Sequence, residues 1–286
     1  MDLSGIGVWS HQLRYGDPAV AADAAAELET LGFQAVWIPD TGGPVLDVVG
    51  ALLAATSRVT VATGILNLWM HDPAEIAART ADLAAAHPNR FLMGIGVSHA
   101  PIVDAAEAGR YRRPLAAMTA FLDELDKADP PVPAEDRVLA ALGPRMLDLA
   151  AHRSRGIHPY LVTPEHTRQA RERLGEGPLI LPEQTAILTT DADEAHAIGR
   201  PWLAGYLELP NYQSSMRRLG FTEDDITGVS DRLFDALIVW GDEAAIGRRV
   251  EEHQAAGADH VCLQVLLADQ RALPRDQWRR LAAALL

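Results

Sequence analysis

Cysteine is nearly absent from this chain. Cys262 stands alone, which excludes a disulfide framework and a thiolate metal site. Positive charge is also scarce: 25 Lys and Arg face 39 Asp and Glu, for a formal net charge of −14, and Lys127 is the only lysine. Such a surface excludes a nucleic-acid binder, which needs a basic face to displace counterions from phosphates. It equally excludes docking on an anionic membrane. An anionic cofactor remains compatible, because helix N-termini and a few arginines bind phosphate locally. No apolar run reaches about 18 residues, so no spanning helix is expected. Met1 to Gly7 lacks a basic region followed by an apolar segment, so no signal peptide is expected, and a cytoplasmic location follows as an expectation. No H-E-x-x-H and no paired histidines at strand ends occur, so no metal site is expected.

What the 286 residues do contain is a repeat of helix, glycine and short apolar strand. Residues 19–31 are Ala-rich and helical, Gly32 stops them, and Ala35-Val36-Trp37-Ile38 follows. Residues 243–256, Gly257 and 260–266 repeat the pattern, as do 146–155, Gly156 and 157–162. Glycine suits the left-handed position just past a helix, and a buried parallel strand reads as a short apolar run. Candidate strands fall at 5–9, 35–39, 59–66, 91–96, 137–142, 157–162, 185–189 and 260–266. Eight is the number that closes a (β/α)8 TIM barrel, here read as a single domain over 1–286. An open doubly wound sheet is the alternative, but no strand leads into a G-x-G-x-x-G turn. Two stretches break the repeat: a Pro-rich loop at 127–136, and an insertion at 207–231 between the seventh and eighth strands. In the insertion Thr222 reads as a helix N-cap. Insertions at this end of a barrel commonly form lids.

In a parallel barrel the functional groups sit where the strands end. Those positions hold Trp9-Ser10-His11, Asp40-Thr41, Thr63-Gly64-Ile65-Leu66-Asn67, Gly94-Ile95-Gly96-Val97-Ser98-His99 and Leu142-Gly143-Pro144 with Met146 just beyond. Three runs carry a resemblance: Val59 to Ile65, then His71-Asp72-Pro73-Ala74-Glu75, then Pro88 to Val97. Together with residues 139–163 and Gly257-Ala258-Asp259-His260-Val261, they resemble the luciferase-like monooxygenase superfamily, and within it the coenzyme F420-dependent oxidoreductases. The resemblance spans nearly the whole chain. It implies a luciferase-like barrel, a bound deazaflavin or flavin, a homodimer, and a non-prolyl cis peptide between Gly64 and Ile65.

The residues supply readings of their own. Gly96 with Gly94 is read either as room for a ring or as a tight barrel interior. Ser98 can donate to a phosphate or hydroxyl. Gly143 lets backbone N–H groups approach an anion, with Pro144 opening the next helix, or else it is an ordinary turn. Asp40 is a candidate to bind the ring edge or handle a proton, against the alternative of a cap or turn residue. Its sugar-oxidising relatives place a histidine after this aspartate, whereas Thr41 follows here. His11 is a second acid/base candidate. His99 stands where the family has an acidic residue. His71, His87, His152, His166, His196 and His253 read as surface or capping residues. Cofactor contact is thus expected from Asp40, Thr41, Thr63, Gly64, Ile65, Asn67, Gly96, Val97, Ser98, His99, Leu142, Gly143, Pro144 and Met146. The expected function is hydride transfer between coenzyme F420 and a small organic substrate. An FMN-dependent monooxygenase, or a non-catalytic F420- or flavin-binding protein, are the alternatives.

Overall fold

The computed structural model describes Met1 and residues 3–286, and its strands pair in parallel throughout. Among the described residues the strands are β1 (Gly5–Trp9), β2 (Ala35–Ile38), β3 (Thr60–Thr63), β4 (Leu66–Asn67), β5 (Phe91–Gly96) and β6 (Arg137–Leu139). They continue with β7 (Gly156–Ile157), β8 (Leu179–Ile180), β9 (Glu183–Ile187), β10 (Ile238–Trp240) and β11 (His260–Val265). Leu181 and Pro182 separate β8 from β9. Backbone bonds from Leu181 N to Ile157 O and from Glu183 N to Pro159 O carry the pairing across, so the two act as one seventh barrel strand. β11 then pairs with both β9 and β1, and the ring of eight closes.

The expected strands are all present but differ in extent, the fifth and sixth shortening to Arg137–Leu139 and Gly156–Ile157. The seventh begins at Leu179 rather than at 185, because Pro178 and Pro182 bound a three-residue apolar run too short to stand out. β10 was not expected. It pairs with β9 on the edge opposite β11, from Ile238 against Thr185 to Trp240 against Ile187. The stretch read as one third strand bends after Thr63, and β4 resumes beside β5. At the bend the Gly64–Ile65 peptide is cis, as the resemblance implied.

Local chemistry explains the helices. Asp17 and Asp72 cap theirs by accepting from Ala19 and Val20, and from Ala74 and Glu75, with Pro18 and Pro73 at the first helical position. Gly32 ends the first of these at φ +100°. Inside the barrel, Trp37, Ala62, Leu92, Val138, Leu181 and Cys262 pack together as core. Between β9 and β10 the chain runs through helices Ala192–Leu207, Pro210–Arg218, Glu223–Gly228 and Asp231–Leu237. Thr222 caps the third of these in a reciprocal pair with Asp225. These helices build an apolar cluster of their own around Leu203, Met216, Leu233 and Phe234, seated on Ile187 and Ile238 at the strand ends. That seat fixes the segment over the mouth of the barrel.

Candidate active site

The second strand delivers Asp40 to the mouth, but its carboxylate turns inward. Its Oδ1 accepts from Gly42 N at 3.3 Å, and its Oδ2 accepts from Asn67 N at 3.1 Å and from His71 Nε2 at 2.6 Å. The Asp40 side chain is wholly enclosed, whereas that of His71 is 16% exposed. The expected contact of this carboxylate with a ring edge is therefore not what its geometry offers; it ties β2 to β4. His71, read from sequence as a surface or capping residue, is instead its partner. Thr41 is exposed and bonded to the Tyr15 hydroxyl through its own Oγ1 and N. His11 is exposed, 4.6 Å from the Tyr15 ring, with its pKa lowered by partial burial and by Arg14. Neither His11 nor Thr41 is drawn into the mouth by a bond to another strand end.

The bend at Gly64 is held from below. Trp9 Nε1 donates to Gly64 O at 3.0 Å, and a Cβ on Gly64 would stand 2.5 Å from that nitrogen. His158, stacked on Trp37 at 4.1 Å, donates from Nδ1 to Leu181 O at 2.7 Å. Its Nε2 is buried without a partner, and burial lowers its pKa to about 4, so it is neutral. The glycines of β5 resolve toward the tight interior. A Cβ on Gly94 would lie 2.0 Å from Thr63 O, and one on Gly96 2.4 Å from Ile65 Cδ1. The Thr63 hydroxyl donates to Gly94 O at 2.8 Å. Gly96 and Thr63 are thus spent on packing the bend, and Ile65 occupies the space assigned to a ring beside Gly96.

After β5 the chain turns at Ser98, φ +54°, toward the helical segment. Val97 O accepts from Trp69 Nε1 at 2.7 Å, while Asn67 Oδ1 receives Trp69 N at 3.2 Å. Asn211 reaches down to donate to Ser98 O at 3.1 Å and to the Tyr111 hydroxyl at 3.3 Å. His99 lies 4.8 Å from the Tyr212 ring; its Nδ1 is buried without a partner, and burial lowers its pKa to about 4.

Gly143 behaves differently from the β5 glycines. It precedes the helix Pro144–Arg153 with ordinary extended dihedrals and no side-chain cap. A Cβ there would meet nothing nearer than Arg218 Nη2 at 3.9 Å. Neither backbone conformation nor packing within the chain calls for glycine at this point. Arg218 donates to Leu142 O at 3.1 Å and forms no ion pair among the described residues, unlike Arg217, which pairs with Glu223. Met146 lies in the first turn, its N–H bonded back to Gly143 O. An open helix N-terminus with an unpaired guanidinium beside it suits a phosphate.

Sequence reading missed the roof of the site. The Tyr160 hydroxyl donates to Gln264 Oε1 at 2.7 Å and lies 3.1 Å from the Tyr206 hydroxyl, and its ring lies 5.2 Å from Trp9 and 6.3 Å from Tyr212. Beneath them Glu183 is enclosed, accepting from the Thr185 hydroxyl at 2.6 Å and Leu161 N at 3.2 Å, and burial pushes its pKa up to about 7. Only the aromatic content of the inserted helices signalled Tyr206 and Tyr212, while Tyr160 lies in the turn after β7. No cluster suited to a metal ion is present among the described residues, and no helix among them is long and apolar enough to cross a membrane.

Comparison with known proteins agrees with this architecture. The family model for luciferase-like monooxygenases matches residues 2–128 and 120–260. A Mycobacterium tuberculosis protein described as a coenzyme F420-dependent oxidoreductase is 24% identical over 341 aligned positions, covering 95% of this chain and 96% of that one. An F420-dependent secondary alcohol dehydrogenase, solved with an F420-acetone adduct, superposes with a TM-score of 0.75 at 17% identity, over 99% of this chain and 98% of that one. The oxygenating constituent of 3,6-diketocamphane monooxygenase from Pseudomonas putida, solved with FMN, gives a TM-score of 0.71 at 12% identity, over 99% and 96% of the two chains. With the family model spanning most of its length and an eight-stranded barrel of the same build, this chain belongs to the luciferase-like monooxygenase family.

Proposed function

We propose that this oxidoreductase uses coenzyme F420, exchanging a hydride between the deazaflavin and a small organic alcohol or carbonyl. The observation that carries the reading is Gly143: an unforced glycine at an uncapped helix start, with Arg218 unpaired beside it. A cofactor phosphate accounts for all three features, held by backbone N–H groups and the guanidinium. Val97, Ser98 and Leu142 border that position. Ile65 and the Gly64 peptide would back the ring, and the partnerless Nδ1 of His99 is a buried polar group that a ligand can satisfy. The bound deazaflavin supplies the two-electron chemistry. The chain supplies position, exclusion of water under the tyrosine roof, and a group to carry the proton. The F420-dependent relative and the alcohol dehydrogenase of similar fold support this choice over FMN.

Replacing Gly143 with valine fills the space left for the ligand while meeting no chain atom. F420 affinity should fall at least tenfold, and Arg218→Ala should lower it in the same direction. Unchanged affinity in both variants, measured by fluorescence titration, removes the phosphate site. The proposal extends to assembly as a homodimer. Helices Pro73–Ala86 and Pro114–Lys127 lie side by side and present the exposed alanines Ala74, Ala78, Ala116 and Ala120. Light scattering at micromolar concentration should return twice the chain mass; a monomer mass refutes the pairing.

A further inference from the structure

We infer that His71, held by the buried carboxylate of Asp40, is the group that exchanges the proton with the substrate oxygen. The inference rests on the F420 reading above and adds to it a residue that the sequence placed at the surface or at a cap.

Three observations carry it. First, the pair is short and asymmetric: Nε2 lies 2.6 Å from Oδ2, with Asp40 wholly enclosed and His71 16% exposed. Second, Asp40 is fixed by two backbone donors besides His71, Gly42 N and Asn67 N, so it cannot swing away. Third, His71 Nδ1 has no partner among the described residues and is not among the buried polar atoms left unpaired. A carboxylate accepting from Nε2 sets the tautomer and leaves Nδ1 as the lone pair that can take a proton. The carboxylate then also stabilises the imidazolium that forms.

The location fits. Asn67, bonded to the same Oδ2, ends β4, two residues past the Gly64–Ile65 bend. The competing groups nearby are poorly suited. His99, half-buried against Tyr212, has no carboxylate partner among the described residues, Glu183 is enclosed between Thr185 and Leu161, and the hydroxyl of Tyr160 is already engaged with Gln264 and Tyr206. His71 joins a carboxylate partner to an open second nitrogen.

The step balances as follows. The carbinol carbon loses its hydrogen with the bonding pair to the deazaflavin, and is oxidised by two electrons as the deazaflavin is reduced. The substrate O–H bond breaks, its electrons complete the C=O bond, and the proton passes to His71 Nδ1. Solvent takes that proton from the exposed edge of the ring. Carbonyl reduction runs the same path backward.

The test uses the full chain with and without saturating F420. Carbethoxylation by diethyl pyrocarbonate, mapped by mass spectrometry, reports the open nitrogen of each histidine. His71 should be modified in the free protein and protected at least tenfold by F420. His71→Gln keeps a donor for Asp40 but cannot take a proton. It should bind F420 within about twofold of the parent, and with reduced F420 and cyclohexanone as the probe pair it should lose at least about 100-fold in rate. Equal modification of His71 with and without bound F420, or an equal rate in His71→Gln, overturns the inference while leaving the F420 reading intact. A parent protein that does not bind F420 overturns that reading, and the inference with it.

Discussion

A single atom can separate a glycine needed by the chain from one that answers to something else. At Gly96 a methyl group would meet Ile65 at 2.4 Å, and at Gly143 it would meet nothing within 3.9 Å. Both occupy strand ends and looked equivalent in sequence. Gly96→Ala should therefore destabilise the fold by about 1–3 kcal/mol, the usual cost of overpacking a tight site. Gly143→Val should leave the urea midpoint almost unmoved while weakening cofactor binding. The reverse ranking of the two midpoints would contradict this division. The same scale shows what sequence reading could not reach. Asp40 was legible as a mouth residue because it ends an apolar run. Its partner was not, since His71 lies 31 positions away and no local pattern distinguishes it from a solvated histidine. His166 and His253 were misjudged for the same reason. They are buried, His166 bonding Leu142 O and His253 bonding Thr167 and Gln184, contacts made only by the folded barrel.

The eight main strands were legible because each is an apolar run bounded by a helix or by Gly and Pro. β10 was not, because three residues directly following a helix carry no period of their own. The helices between β9 and β10 also show how a segment seen as an interruption becomes part of the site. Their private apolar cluster lets them sit as a unit over the mouth, and Asn211 latches that unit to Ser98 O and Tyr111. A neutral hydrogen bond contributes about 0.5–1.5 kcal/mol, so Asn211→Ala should favour opening by about 2- to 10-fold. Stopped-flow mixing with F420 should show association faster by that factor. An unchanged association rate would mean that the helices do not gate entry.

Buried titratable groups give the whole molecule a defined acid response. Burial lowers His158 and His166 to about 4 and His253 to about 3. Each is neutral in the native state where the unfolded chain, with histidine near 6.5, is protonated. Their stabilising contribution is complete above about pH 6.5 and is lost as pH falls toward 4. Glu183 acts oppositely: raised to about 7, it binds a proton that the unfolded chain has released above about pH 4.5, so its contribution fades as pH rises toward 7. Three histidines outweigh one glutamate between pH 4.5 and 6.5. Tm should therefore rise across that window, by an amount on the order of ten degrees, and flatten near neutrality. A Tm that is flat or falling from pH 4.5 to 6.5 would show that these histidines are not held neutral.

The measurement that bears most directly on the central claim is a side-by-side titration of the purified chain with coenzyme F420 and with FMN. Both carry a phosphate for the site proposed at Gly143 and Arg218, so the comparison isolates the choice of ring. F420 should bind saturably and at least tenfold tighter than FMN, with the F420 affinity reduced in Gly143→Val. FMN binding as tight or tighter would contradict the deazaflavin assignment, and binding of neither would contradict a cofactor site at this mouth.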